Sequence, residues 1–384
     1  MHSFKRRYVQ FFCLAAAGLL AGCPDRIPEP MAEPEPVALL DRLSPGWNAV
    51  EPGGETICSD GTDYRFYVRP GDPERLMVYF QGGGACWNGA TCDPDLKPTY
   101  YVNLAELDLA KAHGVFAFDL PSNPFADYSV VFAPYCTGDV HLGNAVATYT
   151  APEVEEHAEH EVTINHKGTV NAQAVLDWTS AHFLKPSTVF VTGSSAGSIP
   201  SPYYAMQIAD RYPEARIVQL GDGSGGYRRS ESSAAVENAW GTLDILRRSP
   251  EFADLEADDL TYEILYVGAA KGSPNIQFAA FDHAEDGTQK RYQVLSGNEV
   301  ESLLPLLRAN QQDIRREVDN YRSYIAGGDM HTILLRPEFY TQTVGDVSVR
   351  DWVAALADGK QVADVACTDC AAPEYVDGAA VAAE

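Results

Sequence analysis

The five residues Gly193-Ser194-Ser195-Ala196-Gly197 follow directly on an apolar, β-rich run at Val189, Phe190 and Val191. The pattern is G-x-S-x-G, whose small residues let a backbone turn sharply from strand into helix and hold the middle serine, Ser195, strained and exposed. The Ser195 hydroxyl and the N–H of Ala196 then face one space. A serine hydroxyl is a poor nucleophile until a base takes its proton, and that base needs an acid to orient it and to stabilise its charged form. The five residues alone are a weak signal, because a Gly/Ser turn after a strand is most often only a turn.

His331 offers the base. It follows a strand pattern at Tyr321 to Ala326 through Gly327-Gly328-Asp329-Met330, and no other histidine lies C-terminal to His283. In α/β-hydrolases the chain order is Ser, acid, His, so the acid is expected after the second strand beyond that of the nucleophile. The apolar pattern predicts that strand at Glu263 to Val267, and the acids beyond it are Asp282, Glu285 and Asp286. Asp222, at the end of the intervening strand Arg216 to Leu220, is the competitor; an acid there can also cap a loop. Gly82-Gly83-Gly84 follows a strand at Leu76 to Phe80 and offers unobstructed backbone N–H groups to a carbonyl oxygen gaining negative charge. It lacks the lysine and spacing of a phosphate-binding P-loop.

These groups need a scaffold that brings strand ends together. Short apolar strands alternate with amphipathic stretches, among them a predicted helix over Lys167 to Phe183 with Val170, Ala174, Val175, Trp178 and Ala181 on one face. Such alternation implies parallel strands joined by crossover helices, with ligands bound at the carboxyl ends of the strands. Pro200 and Pro202 resist the scheme, since they fall where the helix after Ser195 should run. They fit only if that helix starts late or kinks.

The chain has 384 residues and a formal net charge of -26, which makes nucleic acid an unsuitable partner. Lys5, Arg6 and Arg7 precede an apolar run from Val9 to Leu20 in the layout of a secretory signal, and Leu20-Ala21-Gly22-Cys23 resembles a bacterial lipobox. The expected plan is a signal peptide at 1–22, a Pro/Glu-rich tether at 23–45 anchored to the membrane through lipidated Cys23, one catalytic domain at 46–375 and a tail at 376–384. Plain secretion is the alternative. Six further cysteines suit disulfides in an exported chain: Cys86 with Cys92, Cys367 with Cys370, and Cys58 with Cys136 as the remaining pair. No metal is expected. Zinc at Cys367 and Cys370 lacks two more ligands, and the acidic runs Glu153 to Glu161, with His157 and His160, and Glu251 to Asp259 read as solvated faces.

Several motifs in order, "CSDGT" at Cys58, "VYFQGGGACW" at Val78, "APYCTGDVHLG" at Ala133, "GSSAG" at Gly193 and "HTIL" at His331, resemble the pectin acetylesterase/Notum family of serine carboxylester hydrolases. The similarity runs from about Cys58 to Arg336. It implies an α/β-hydrolase-like fold, a mainly parallel central sheet flanked by helices, no cofactor, and removal of acyl groups, acetyl above all, from carbohydrate or other esters. Carried over by motif, Ser195 is the nucleophile, His331 the base, Asp286 the acid through Asp286-x-x-Gln289, and Gly83, Gly84 and Ala196 the oxyanion positions. The family often has an aromatic residue directly after the paired glycines, where this chain has Ala85, with Trp87 later, so the acyl pocket is expected to differ. Asp139 and His141 precede Ser195 and read as structural or substrate-lining. Two other readings stay open, a non-catalytic envelope-binding lipoprotein on a hydrolase fold and a lipase or peptidase using the same triad.

Overall fold

Along Asp72–Phe80 the side chains of Leu76, Val78 and Phe80 enter one apolar core while Met77 and Tyr79 enter another. A strand sends successive side chains to opposite faces, so a continuous apolar run fits a sheet covered on both sides. The computed structural model describes residues 40, 42–154, 157–228 and 239–376. The expected signal, Cys23, most of the tether and nearly all of the tail lie outside the described residues.

The strands as far as His331 are β1 (Asn48–Val50), β2 (Phe66–Arg69), β3 (Asp72–Phe80), β4 (Tyr128–Ala133), β5 (Ala145–Ala151), β6 (His160–His166), β7 (Thr188–Ser194), β8 (Arg216–Asp222), β9 (Gln277–His283) and β10 (Tyr321–Ala326). The main sheet has nine strands in the order β1-β2-β4-β3-β7-β8-β9-β10, closed by the short strand Val365–Ala366. From β4 onward every pairing is parallel, and β1 and β2 add an antiparallel edge. Strands β5 and β6 form a separate hairpin.

Helices α1 (Gly168–His182), α2 (Ser201–Arg211) and α3 (Tyr262–Gly272) bury their apolar sides in the first core. Helices α4 (Gly287–Leu295) and α5 (Leu304–Glu317) follow β9, and α6 (Val349–Ala357) packs Trp352 and Val353 into the second core. Each fully buried Val, Leu or Phe in these cores contributes roughly 1.5–3 kcal/mol. This is the mainly parallel, helix-flanked α/β architecture, and no helix among the described residues is long and apolar enough to cross a membrane.

Two expectations need correction. Glu263 to Val267 is not a strand but part of α3, where Tyr262, Leu265, Tyr266 and Ala269 form a buried i, i+3, i+4, i+7 stripe. A short apolar run does not separate strand from helix, and Gly268, which follows it, lets the helix meet Phe252 closely: a Cβ there would lie 2.2 Å from that ring. The second strand beyond the nucleophile strand is β9. In α1 the buried stripe is Ala172, Val175, Leu176 and Thr179, rotated from the expected face, and Ala181 is exposed. The two prolines are accommodated by a late start: a 3-10 turn spans Ser195–Gly197 and α2 begins only at Ser201, placing Pro202 in the first turn, where a missing N–H costs nothing.

Candidate active site

Strand β7 ends at Ser194, and the next residue, Ser195, has a φ of 53°, left-handed for a non-glycine residue. Such a conformation costs on the order of 1–3 kcal/mol and persists only where the surroundings impose it. Here they do. A Cβ on Gly193 would lie 2.3 Å from the Gly197 carbonyl oxygen, and one on Gly197 would lie 2.1 Å from that of Phe80. Both glycines of the motif are therefore required for the turn to close against β3.

Asp286 follows β9 and caps α4, accepting from the N–H groups of Thr288 and Gln289 at 2.9 and 3.0 Å through Oδ1. Its Oδ2 accepts from Gln289 Nε2 at 3.1 Å and faces His331 Nδ1 at 2.7 Å. Asp286 is fully buried and the His331 side chain is 19% exposed. A carboxylate only accepts, so Nδ1 donates in this bond, and the neutral imidazole tautomer that does so has its lone pair on Nε2. The two loops are also tied through the backbone, Glu285 N–H to Gly328 O at 2.9 Å and Gly287 N–H to Asp329 O at 3.0 Å.

Asp282 lies within β9 and does not reach His331. Its Oδ1 accepts from Gly225 N–H at 2.7 Å and Gln289 Nε2 at 3.0 Å, while its buried Oδ2 has no hydrogen-bond partner. Burial pushes its pKa up to about 8, which favours the neutral acid. Glu285 is engaged elsewhere, with Ser302 and Lys290. Asp222, at the end of β8, is buried, and burial raises its pKa; it accepts from Ser194 Oγ at 2.6 Å and from the N–H groups of Ile333 and Leu334 at 3.0 Å each.

Asp139 and His141 are buried behind the glycine loop. Asp139 accepts from Thr137 Oγ1 at 2.6 Å and from Gly168 N–H at 2.7 Å. His141 Nε2 donates to the Gln81 carbonyl at 2.8 Å, and burial lowers the pKa of its ring, which favours the neutral form. That bond fixes the residue that leads into Gly82-Gly83-Gly84. The loop passes close to the nucleophile: a Cβ on Gly82 would lie 2.4 Å from the Ser194 carbonyl oxygen and 2.7 Å from Ser195 Cβ.

Gly84, Ala85, Ser195 and Ala196 line one cavity of about 210 Å³. The rest of its wall is mostly apolar and aromatic, including Trp87, Val140, Ile199, Trp240, Tyr262 and Leu265. Where the family often carries an aromatic residue after the glycines, this chain has the small Ala85 on the cavity wall. Trp240 is held by a bond from Nε1 to the Cys86 carbonyl at 2.8 Å, next to the Cys86–Cys92 disulfide. Cys58–Cys136 and Cys367–Cys370 are also joined. Sequence reasoning missed Tyr262, Leu265 and Trp240, since nothing in their spacing ties them to Ser195.

Two groups of residues bring three metal-type ligand atoms within 4.8 Å of one another among the described residues. In one, Cys86 and Cys92 are used up as a disulfide beside His166. In the other, Asp93, Asp95 and His160, His160 Nε2 already faces Asp93 Oδ2 at 3.0 Å.

Comparison with known proteins places the chain among its relatives. A planarian protein, palmitoleoyl-protein carboxylesterase NOTUM of Schmidtea mediterranea, is 27% identical over 149 residues, 37% of this chain and 26% of that protein. Palmitoleoyl-protein carboxylesterase notum2 of Xenopus laevis is 27% identical over 150 residues, 36% of this chain and 27% of that protein. The matched part thus spans about a quarter of the length of either relative. The crystal structure of the Wnt deacylase Notum from Drosophila superposes with a TM-score of 0.58 at 15% identity, covering 82% of this chain and 94% of that one, which shows a shared fold. The pectinacetylesterase family profile matches residues 48–239, half of the chain, and with the order of motifs and the shared fold it follows that this chain belongs to the pectinacetylesterase family.

Proposed function

We propose that this protein is a serine carboxylester hydrolase in which Ser195 attacks the ester, His331 moves the proton and Asp286 orients His331. The observation that carries this reading is the 2.7 Å pairing of His331 Nδ1 with a buried carboxylate, at the same strand-end edge as the left-handed Ser195. His331 Nε2 takes the proton from Ser195 Oγ as Oγ bonds to the ester carbonyl carbon. The carbonyl oxygen becomes an oxyanion facing the N–H groups of Gly83, Gly84 and Ala196. The imidazolium then gives its proton to the departing alcohol as the C–O bond breaks, leaving an acyl group on Ser195. Water, deprotonated by His331, releases the acid and restores the serine.

The family name points to acetyl esters. The cavity favours a larger acyl group, because an apolar cavity of about 150 Å³ already accommodates a benzene ring and this one measures about 210 Å³. The two relatives named for palmitoleoyl esters agree with that direction. A polyanionic pectin is a poor match for a chain of net charge -26. The substrate proposed is an uncharged ester with an apolar acyl chain longer than acetyl.

A panel of p-nitrophenyl esters of graded acyl length, run on the wild type and on Ser195→Ala, tests both parts. Turnover in the wild type should peak above acetyl and fall by several orders of magnitude in Ser195→Ala. Equal turnover in the two proteins overturns the mechanism, and a sharp optimum at acetyl overturns the chain-length reading.

The three disulfides fit an exported chain, and the sequence before the domain supports anchoring at the cell envelope through Cys23. The mature protein should carry lipid at its N-terminus by mass spectrometry and partition into detergent, and Cys23→Ala should abolish both. A lipid-free mature chain beginning elsewhere would mean plain secretion.

A further inference from the structure

The turn after β8, Gly221-Asp222-Gly223-Ser224-Gly225-Gly226, holds none of the three residues assigned to chemistry, yet it bonds to all three segments that carry them. Asp222 accepts from Ser194 Oγ at 2.6 Å, one residue before the nucleophile, and from Ile333 and Leu334 N–H at 3.0 Å, just after the base. Ser224 Oγ donates to the carbonyl of Ser195 itself at 2.7 Å. Gly226 N–H donates to Gln289 Oε1 at 2.9 Å, and Gln289 in turn gives Asp286 two hydrogen bonds.

Two residues so enclosed are strained. Ser195 has a φ of 53° and Thr332, between His331 and the two amides held by Asp222, has a φ of 62°. A β-branched residue rarely adopts that conformation without external constraint. Gly223 runs directly against it, since a Cβ at Gly223 would lie 3.0 Å from Thr332 Cγ2. Other contacts hold each segment separately, the glycines of the nucleophile turn on one side and the Gly328 and Asp329 carbonyls on the other, and the buried Asp222 carboxylate is the acceptor the two segments share. Its bonds are charge-assisted in the ionised form, the stronger class of hydrogen bond.

We propose that Asp222 is a positioning residue: it locks the nucleophile segment and the histidine segment to one carboxylate, and the turn through Gly226 extends the lock to the acid. The inference rests on the hydrolase reading above. Asp222 touches no reacting atom. Its effect falls on the alignment of Ser195 with His331, hence on kcat and not on KM.

The test compares full-length wild type, Asp222→Asn and Ser224→Ala in p-nitrophenyl ester hydrolysis, in the rate of covalent labelling by a fluorophosphonate, and in thermal unfolding. Asn keeps the volume but offers one oxygen to three donors and turns an N–H₂ toward them. Asp222→Asn should lower kcat about 10²-fold with KM within about twofold, and slow labelling in parallel while reaching the wild-type stoichiometry. Ser224→Ala, which removes one hydroxyl, should lower kcat about tenfold with the same split. If Asp222→Asn does not fold at the assay temperature, Ser224→Ala decides by the same measurements. Wild-type kcat and labelling in a folded variant, or a loss confined to KM, overturns the positioning role. A wild type that neither hydrolyses the esters nor takes the label overturns the hydrolase reading, and the positioning role falls with it.

Discussion

Around the strand ends that meet Ser195, Asp222, Asp282 and Asp286 are all fully buried and all accept hydrogen bonds, whereas the cavity on the other side of the serine is walled by Trp87, Val140, Ile199, Trp240 and Leu265. The polar side is fixed by strand ends and backbone amides, groups whose positions the sheet dictates. The apolar side is assembled from side chains of five separate stretches of chain, three of which, Val140, Trp240 and Leu265, also belong to the first core. On the reading proposed here, the polar side sets the reaction and the apolar side sets which acyl group is accepted.

The sharpest way to break this contrast lies within the polar side, between two carboxylates four residues apart. Asp286→Asn should replace the acceptor-only carboxylate that orients His331 and stabilises its imidazolium, and lower turnover by roughly 10⁴-fold with the fold retained. Asp282→Asn, close in shape to the carboxyl group it replaces, should stay within about tenfold of wild type, since its Oδ1 bonds Gly225 and Gln289 and neither oxygen reaches the base. Turnover and unfolding measured on both proteins check this, and a folded but inactive Asp282→Asn beside an active Asp286→Asn would reverse the assignment.

A smaller effect is expected on the apolar side. Ala85→Phe places a ring where the cavity is open, and should lower kcat/KM for long acyl esters about tenfold relative to acetyl while leaving acetyl turnover near wild type. The ester panel reads this directly. An equal loss on every ester would show that Ala85 serves the glycine loop and not the acyl wall.

The smallest effect concerns pH. Asp282 holds its proton to about pH 8 in the folded protein and only to about 3.9 when unfolded. Unfolding therefore releases a proton between those values, so this group's contribution to stability falls as pH rises through the window and levels off above it. Asp282→Asn should show a shallower decline in Tm between about pH 5 and pH 8. Asp222, raised by burial for the same reason, retains part of that decline. An unchanged slope would mean that Asp282 is ionised in the native state.

Much of the polar side is legible in one dimension because its parts obey local rules. A β-rich run ending in Gly-x-Ser-x-Gly specifies a strand, a tight turn and an exposed serine, and the glycine pair before His331 marks another strand end. Where local rules are ambiguous, reading along the chain fails: Glu263 to Val267 has a strand's composition and a helix's burial stripe, and only its neighbours choose between them.

The amino-acid sequence by itself carried most of the alternation of strands and helices, the chain order of the serine, acid and histidine proposed for the chemistry, and the family, because each lies in composition or in spacing along the chain; six cysteines in an exported chain suggested disulfides, but their connectivity was settled in space. The local pattern left Asp282 and Asp286 open and the family resemblance favoured Asp286; tertiary structure decided which carboxylate faces His331, since that depends on where each side chain lies and not on its kind. It also decided the partners of Asp222, which binds amides 111 and 112 residues away, and the apolar wall beside Ser195. Hydrogen bonds and packing act over a few ångströms in three dimensions, and no pattern along the chain records which distant segments the sheet will bring that close.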